Sequence, residues 1–306
     1  MKGWRDQPVL VTGGTGFLGA FVARELVAQG MRPRLFDLKP DAQTLEFVAP
    51  GLSRQCELIA GDVTDRAAVA EAMAGCGALI HLAGLMTVDC KADPIRAAQV
   101  NLIGGQTVIA EAVAAGVSRM AFASSSAVYG SGEGRLPHPE TLYGVHKLAI
   151  EGMARCAGLD HGLLSVGFRP YIVYGPGESA GIAAGPSIAL RAAALGQSAK
   201  IEFSGAVGFV HVTDVARAFV TGLSNAETGA PCFDLHGVSA TVAEFVTLLT
   251  RAVPGARVDV EGMPLKTPEI LQGGAQAAWF DALPVTGLEE GIDTTLAHWR
   301  NAAAAA

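Results

Sequence analysis

Charge is what this sequence is shortest of. Only 17% of its 306 residues are Asp, Glu, Lys or Arg, the formal net charge is −7, and no Lys/Arg cluster stands out anywhere. An acidic chain without a basic stripe has no pull toward a phosphate backbone, which excludes a general nucleic-acid-binding role. Cysteine is sparse too: Cys56, Cys76, Cys90, Cys156 and Cys232 are scattered, odd in number and never in CxxC spacing. That pattern excludes a disulfide frame and a zinc site and reads as reduced thiols in a cytoplasmic protein. No apolar run is long enough to span a bilayer. The opening MKGWRDQPVL reaches a strand-like segment too soon to hold a signal peptide, and no internal repeat is present, so a soluble globular chain is expected.

What the chain has in plenty is apolar side chains, at 50% of residues, enough to bury the core of one large α/β domain or of a nucleotide-binding domain carrying a smaller one. The stretch that organises the rest is VLVTGGTGFLG, residues 9–19. A short apolar run breaks into a glycine turn and then into a helical pattern from 17 to 28, closed by Gly30. Gly13, Gly16 and Gly19 are spaced by three. The first permits a tight turn, the second lets backbone approach a diphosphate, and the third lets helix pack closely on strand. The diphosphate then rests on free N–H groups at the helix N-terminus. Eighteen residues past Gly19, after a second strand at 33–36, stands Asp37. A carboxylate there accepts the ribose hydroxyls and repels a 2′-phosphate, which favours NAD over NADP; Arg34 and Lys39 nearby work against that preference.

Strand-like and helix-like segments alternate through the first half, the pattern of a doubly wound parallel sheet. Further strands are expected at 58–60, 78–82, 120–123 and 163–168, with a helix through 73 that Thr64 or Asp65 can cap, and helices at 94–115 and 141–157. Beyond Arg169-Pro170 a glycine- and alanine-rich connection leads to a helix at 187–195, a strand at 200–203, a helix at 212–223, a strand at 233–235 and helices at 242–253 and 288–299. The alanine tail 302–306 is expected to fray. Polar signals gather at the carboxyl ends of the strands, where open sheets bind ligands: the glycine turn, Asp37, Asp62, Ala83-Gly84 and Ser124-Ser125-Ser126. Asp62 and Val63 either meet an adenine ring, through its amino group and by contact, or belong to a plain turn.

Tyr143-Gly144-Val145-His146-Lys147 carries the chemistry. Residues four apart share a helix face, so phenol and ammonium point into one cleft. An unperturbed tyrosine, with a pKa of about 10, is a poor base, and a nearby positive charge lowers that value. Tyr143 can then exchange a proton with an alcohol whose carbinol hydrogen passes to or from a nicotinamide, and a serine from the end of the fifth strand can hold the same oxygen in line.

With those residues in place, the chain resembles the extended short-chain dehydrogenase/reductase family, in its NAD-dependent epimerase/dehydratase group. The matching motifs are TGGTGFLG (12–19), GDVTD (61–65), HLAG (81–84), Asn101, SSSAVYG (124–130), YGVHK (143–147), RPYIVYGPG (169–177) and FVHVTDVARA (209–218). The resemblance implies a Rossmann domain over 1–170, to which 205–225 return, and a small substrate-binding α/β domain from 171–204 and 226–301. It makes Ser125, Tyr143 and Lys147 the catalytic residues. It places Gly13, Thr15, Gly16, Phe17, Leu18, Gly19, Asp37, Asp62, Val63, Leu82, Ala83, Gly84, Asn101, Tyr143, Lys147, Tyr171 and Val173 at the cofactor NAD. Met86, Thr87, Ser125, Ser126 and His211 are candidates to touch substrate, while His146 and Arg169 are expected to anchor structure. A homodimer through a bundle of the 94–115 and 141–157 helices is also implied.

Departures from the family pattern narrow the activity. Ser126 and Ala127 stand where family dehydratases carry Asp-Glu, so the groups for water elimination are missing. Val207-Gly208 replace the Arg-Asp and Ile172 the Asn that enzymes of nucleotide-diphosphate sugars carry, and Arg191 and Lys200 are the sole cations of 177–209. The expectation is therefore hydride transfer between NAD and a secondary alcohol or lactol of a small sugar-like or hydroxy-acid substrate. The alternative is an epimerase that keeps its NAD. No metal is expected.

Overall fold

The computed structural model describes residues 3–305. Its strands and helices begin with β1 (Val9–Thr12), α1 (Phe17–Ala28), β2 (Pro33–Asp37), α2 (Ala42–Val48), β3 (Glu57–Ala60), α3 (Arg66–Met73) and β4 (Ala78–His81). There follow α4 (Thr87–Ala92), α5 (Pro94–Ala98), a π-helical segment (Gln99–Gly104), α6 (Gly105–Ala114), β5 (Arg119–Ala123), α7 (Leu142–His161), β6 (Leu164–Pro170) and β7 (Ile172–Tyr174). The last part contains α8 (Gly185–Ala194), β8 (Ser198–Ile201), β9 (Ala206–His211), α9 (Val212–Ser224), β10 (Cys232–Leu235), β11 (Val238–Thr241), α10 (Val242–Ala252), β12 (Arg257–Val260), α11 (Ala278–Asp281) and α12 (Leu288–Ala305).

Seven strands form one parallel sheet in the order β10-β6-β5-β4-β1-β2-β3, the doubly wound arrangement expected. The central strands are apolar on both faces because both are covered. Val9 and Val11 of β1 join the core under α1 and α9, whereas Leu10 between them joins the core on the other face with Leu79, Met120 and Phe122. A third core gathers α8, α10, α12 and the three-stranded sheet β11-β9-β7.

Helix ends follow their caps. The Thr141 hydroxyl accepts from the Gly144 amide at 3.0 Å and starts α7, and Gly162, at φ 73°, stops it; a left-handed residue there costs glycine little. Asp65, not Thr64, caps α3 by accepting from the Ala67 and Ala68 amides.

Three expectations are corrected. The 94–115 helix is not continuous: π-helical turns at Gln99–Gly104 interrupt it, a local widening of the kind found at functional sites. Residues 232–235 belong to the large sheet rather than to the small domain, because β10 pairs in parallel with β6, Phe233 opposite Phe168. The tail does not fray before Ala305, since α12 runs to that residue; alanine is the best helix former. Ala306 lies outside the described residues. α12, packed with α8 and α10 in the third core, also reaches across to α2. There His298 Nε2 donates to the Phe47 carbonyl of α2 at 2.8 Å, and the Phe47 and Trp299 ring centroids lie 4.7 Å apart.

Candidate active site

The β1–α1 turn has the form a diphosphate needs. Gly13 sits at φ 68°, and a Cβ on it would lie 3.0 Å from the Ala83 amide nitrogen. A Cβ on Gly19 would come within 2.2 Å of the Gly13 carbonyl oxygen, so helix and turn touch through glycine alone. Gly16 N-caps α1 without a side chain, which leaves the N–H groups of the first turn, at Phe17 and Leu18, free for anionic oxygens. Asp37 closes the turn by accepting from the Thr15 amide at 3.1 Å. Arg34 points away from it and is spent on Glu57 and on the carbonyls of Ala72 and Ala74. Of the two cations near Asp37 in sequence, only Lys39 is left without such partners.

The loop after β4 is held from beneath. Thr12 Oγ1 accepts from the Leu82 and Ala83 amides at 3.2 and 3.3 Å and lies 2.7 Å from His81 Nδ1. Its single proton therefore goes to Nδ1, and His81 is the neutral tautomer protonated at Nε2. Burial, followed by the Lys147 charge, drives its pKa down to about 3. Further along, Asn101 accepts from the Leu85 amide at 2.7 Å and donates to the Leu85 carbonyl at 3.0 Å, with His146 Nδ1 at 3.3 Å. Those contacts use its amide, so Asn101 shapes the loop bearing Leu82, Ala83 and Gly84. The π-helical turns aim it there.

Tyr143 and Lys147 share a face of α7 with Ser125 opposite, at the end of β5. Tyr143 is 8% exposed, and the Ser125 hydroxyl lies near enough to favour its phenolate form. Lys147 Nζ stands 5.6 Å from the Tyr143 ring centroid and donates to the Ala123 carbonyl at 2.8 Å. Here the electrostatics depart from expectation. Burial pushes the phenol up to about 12, against the downward effect of Ser125, and pushes the ammonium down to about 8. Desolvation sets the direction of both shifts, so the protein's own groups hold Tyr143 as an acid.

Below this pair lies a polar cluster that sequence reasoning did not assemble. Ser124 Oγ donates to Glu151 at 2.5 Å, Glu151 takes a two-pronged ion pair from Arg169 (2.8 and 2.7 Å), and Arg169 Nη1 reaches Tyr129 Oη at 2.6 Å. Tyr129 in turn donates to Asp234 at 2.8 Å. The cluster ties α7, one turn beyond Lys147, to β6 and β10. The one sequence signal for it was Arg169, whose anchoring role is as expected.

The substrate candidates fare unevenly. Met86 is largely exposed and Thr87 begins α4, both on the rim beyond Gly84. Ser126 is buried in the short turn after Ser125. His211 is not at a substrate edge: it is buried, 2.7 Å from the Thr213 hydroxyl and packed on Tyr174, and burial takes its pKa down to about 4. Its position where β9 meets α9 puts it between α9 and α12. Tyr171 turns its hydroxyl to the Pro268 carbonyl at 2.5 Å and its amide to Leu235, while Val173 is half-buried on β7. Among the described residues no group of His, Cys, Asp and Glu is arranged to hold a metal ion.

Comparison with known proteins bears on the family and the fold. Residues 9–232 match the NAD dependent epimerase/dehydratase family. Over 176 residues the chain is 34% identical to the uncharacterized protein y4nG of Sinorhizobium fredii, covering 55% of this chain but 42% of that protein. It is 29% identical over 267 residues to the 2-alkyl-3-oxoalkanoate reductase of Stenotrophomonas maltophilia, covering 82% of this chain and 77% of that one. In three dimensions it is similar to the Thermus thermophilus UDP-glucose 4-epimerase complexed with NAD, at TM-score 0.81 and 25% identity over 96% of this chain and 99% of that one.

Proposed function

The chain belongs to the NAD-dependent epimerase/dehydratase family of extended short-chain dehydrogenases, and from that premise we propose that it is a net NAD-dependent oxidoreductase of a small secondary alcohol or lactol. The observation that carries the choice of substrate class is the fate of the only two cations in 177–209. Arg191 lies over the Trp299 ring, 5.1 Å from its centroid, and Lys200 is paired with Glu261 at the surface of the β8–β12 ribbon. Lys200 is spent on that pair, and Arg191 alone keeps its guanidinium donors, one cation where a nucleotide diphosphate calls for several charge-assisted donors. A compact sugar, sugar acid or hydroxy acid makes no such demand.

NAD, when bound, supplies the two-electron acceptor or donor. Gly13, Thr15, Gly16, Phe17, Leu18 and Gly19 would hold its diphosphate, Asp37 its ribose, and Asp62 and Val63 its adenine. In the reducing direction Tyr143 gives its proton to the carbonyl oxygen as the alcohol forms. Ser125 shares that oxygen and fixes its line of approach, and the Lys147 ammonium stabilises the phenolate left behind. In the oxidising direction the same proton returns to Tyr143. Ser126 and Ala127 supply neither acid nor base for dehydration.

The likeness to UDP-glucose 4-epimerase over nearly the whole chain favours a second reading, an epimerase that keeps its cofactor. One experiment separates the two. Purified protein is given NAD⁺ or NADP⁺ with a panel of small sugars, lactols and hydroxy acids, and NADH absorbance is followed. Turnover with NAD⁺ on the panel is expected. Silence there, with conversion of a UDP-sugar and no net NADH, would replace this reading with the epimerase.

The assembly we propose is a homodimer through α5, the π-helical turns, α6 and α7, supported by exposed Ile95, Ile103 and Val145 along that face. A cytoplasmic location is supported by the five free thiols; recovery of the protein outside the cytosolic fraction of its own cells would count against it.

A further inference from the structure

Arg96 is a residue that neither motif nor family pattern singles out, yet it projects from α5 onto Asp62. Its Nη2 donates to Asp62 Oδ2 at 2.8 Å. The other oxygen, Oδ1, is taken by the Thr64 amide at 2.9 Å and the Thr64 hydroxyl at 2.8 Å. The carboxylate is thus locked in one orientation from two sides. Burial opposes its charge, but the Thr64 bonds and the Arg96 guanidinium prevail and hold its pKa below the usual carboxylate range. Arg96 is itself placed by Asp93, whose carboxylate caps α5 by accepting from the Arg96 amide at 2.9 Å. Behind the pair, Val63 is buried against the π-helical turns, where a Cβ on Gly104 would lie 2.7 Å from Val63 Cγ2.

Asp62 Oδ2 keeps a lone pair, and the guanidinium, 40% exposed, makes no other side-chain hydrogen bond among the described residues. An acceptor and a planar multiple donor therefore stand side by side at the end of β3. The Watson–Crick edge of adenine presents the complement, an amino donor at N6 next to an acceptor at N1. We infer that Arg96 is the adenine-reading partner of Asp62: it fixes the carboxylate that accepts from the N6 amine and donates to the ring nitrogen beside it. The inference rests on the reading of Asp62 and Val63 as the adenine position and adds to it a specificity-determining residue. A plain surface ion pair would add little to stability and nothing to base recognition.

The test is a cycle between Arg96 and the adenine edge. The full chain and its Arg96→Met variant are titrated with NAD⁺ and with its 1,N6-etheno analogue, in which N1 and N6 are blocked. The wild type is expected to bind the etheno analogue roughly tenfold more weakly, about the share of one charge-assisted hydrogen bond. Arg96→Met should lose a similar factor for NAD⁺ and almost nothing for the analogue, so that the gap closes while the thermal midpoint stays put. Equal losses for both ligands, or no loss for either, would overturn the inference. If the methionine variant unfolds, Arg96→Gln serves the same cycle. A wild type that binds neither dinucleotide would instead defeat the cofactor assignment beneath it.

Discussion

At the scale of single residues, the proton-carrying pair is governed by burial. Tyr143 at about 12 stays protonated across the physiological range, whereas Lys147 at about 8 changes charge within it. The sign follows from the group: a lysine whose pKa is lowered loses its ammonium, and with it the stabilisation of the phenolate, as pH rises through about 8. We predict that kcat/KM for carbonyl reduction with NADH falls above that pH and levels off below it, measured as initial rates across a pH series. A profile flat from pH 6 to 10, or one rising through 8, would show that the ammonium plays no part in the rate. Tyr143, Lys147 and Ser125 were legible in the sequence because helical spacing and a strand end place them. The balance between desolvation and charge was not, since depth of burial is a property of the assembled fold.

At the scale of elements, the parallel sheet could be read from apolar runs ending in polar signals. The breaks in regular geometry could not. The π-helical turns at Gln99–Gly104 carry no residue that announces them, yet they aim Asn101 at Leu85 and so hold the loop after β4. β10 was assigned to the small lobe because it follows the crossover; its pairing with β6 is a long-range choice that four residues do not reveal. The Glu151–Arg169–Tyr129–Asp234 cluster is similar, four ordinary residues joined across α7, β6 and β10 only on folding. Arg169 and Glu151 are both almost fully buried, so removing one partner leaves the other charge stranded. Arg169→Met is expected to cost about 3–5 kcal/mol, read from denaturant unfolding with the slope unchanged. A loss below about 1 kcal/mol, the size of an exposed pair, would show that the cluster is not structural.

At the scale of the whole molecule, two lobes are bound by more than the chain's crossings. α12, held in the core it shares with α8 and α10, also sets His298 and Trp299 on Phe47 of α2, a contact that no local pattern in an alanine-rich tail signals. Ile95, Ile103 and Val145 are exposed on α5, the π-helical turns and α7. An apolar face of that kind is what a homodimer covers. Placing a charge in it by Ile103→Glu is expected to shift the molar mass measured by light scattering from dimer to monomer. A wild type that is already monomeric at micromolar concentration would remove the proposal.

The central claim is that Tyr143 passes the proton while a dinucleotide lies beside it. Tyr143→Phe deletes the hydroxyl and little else, so NADH binding, followed by fluorescence titration, should stay within a few-fold of wild type. Single-turnover oxidation or reduction of the panel substrate should at the same time fall by about 10²–10⁴-fold. A variant that binds NADH and turns over at the wild-type rate would contradict the account.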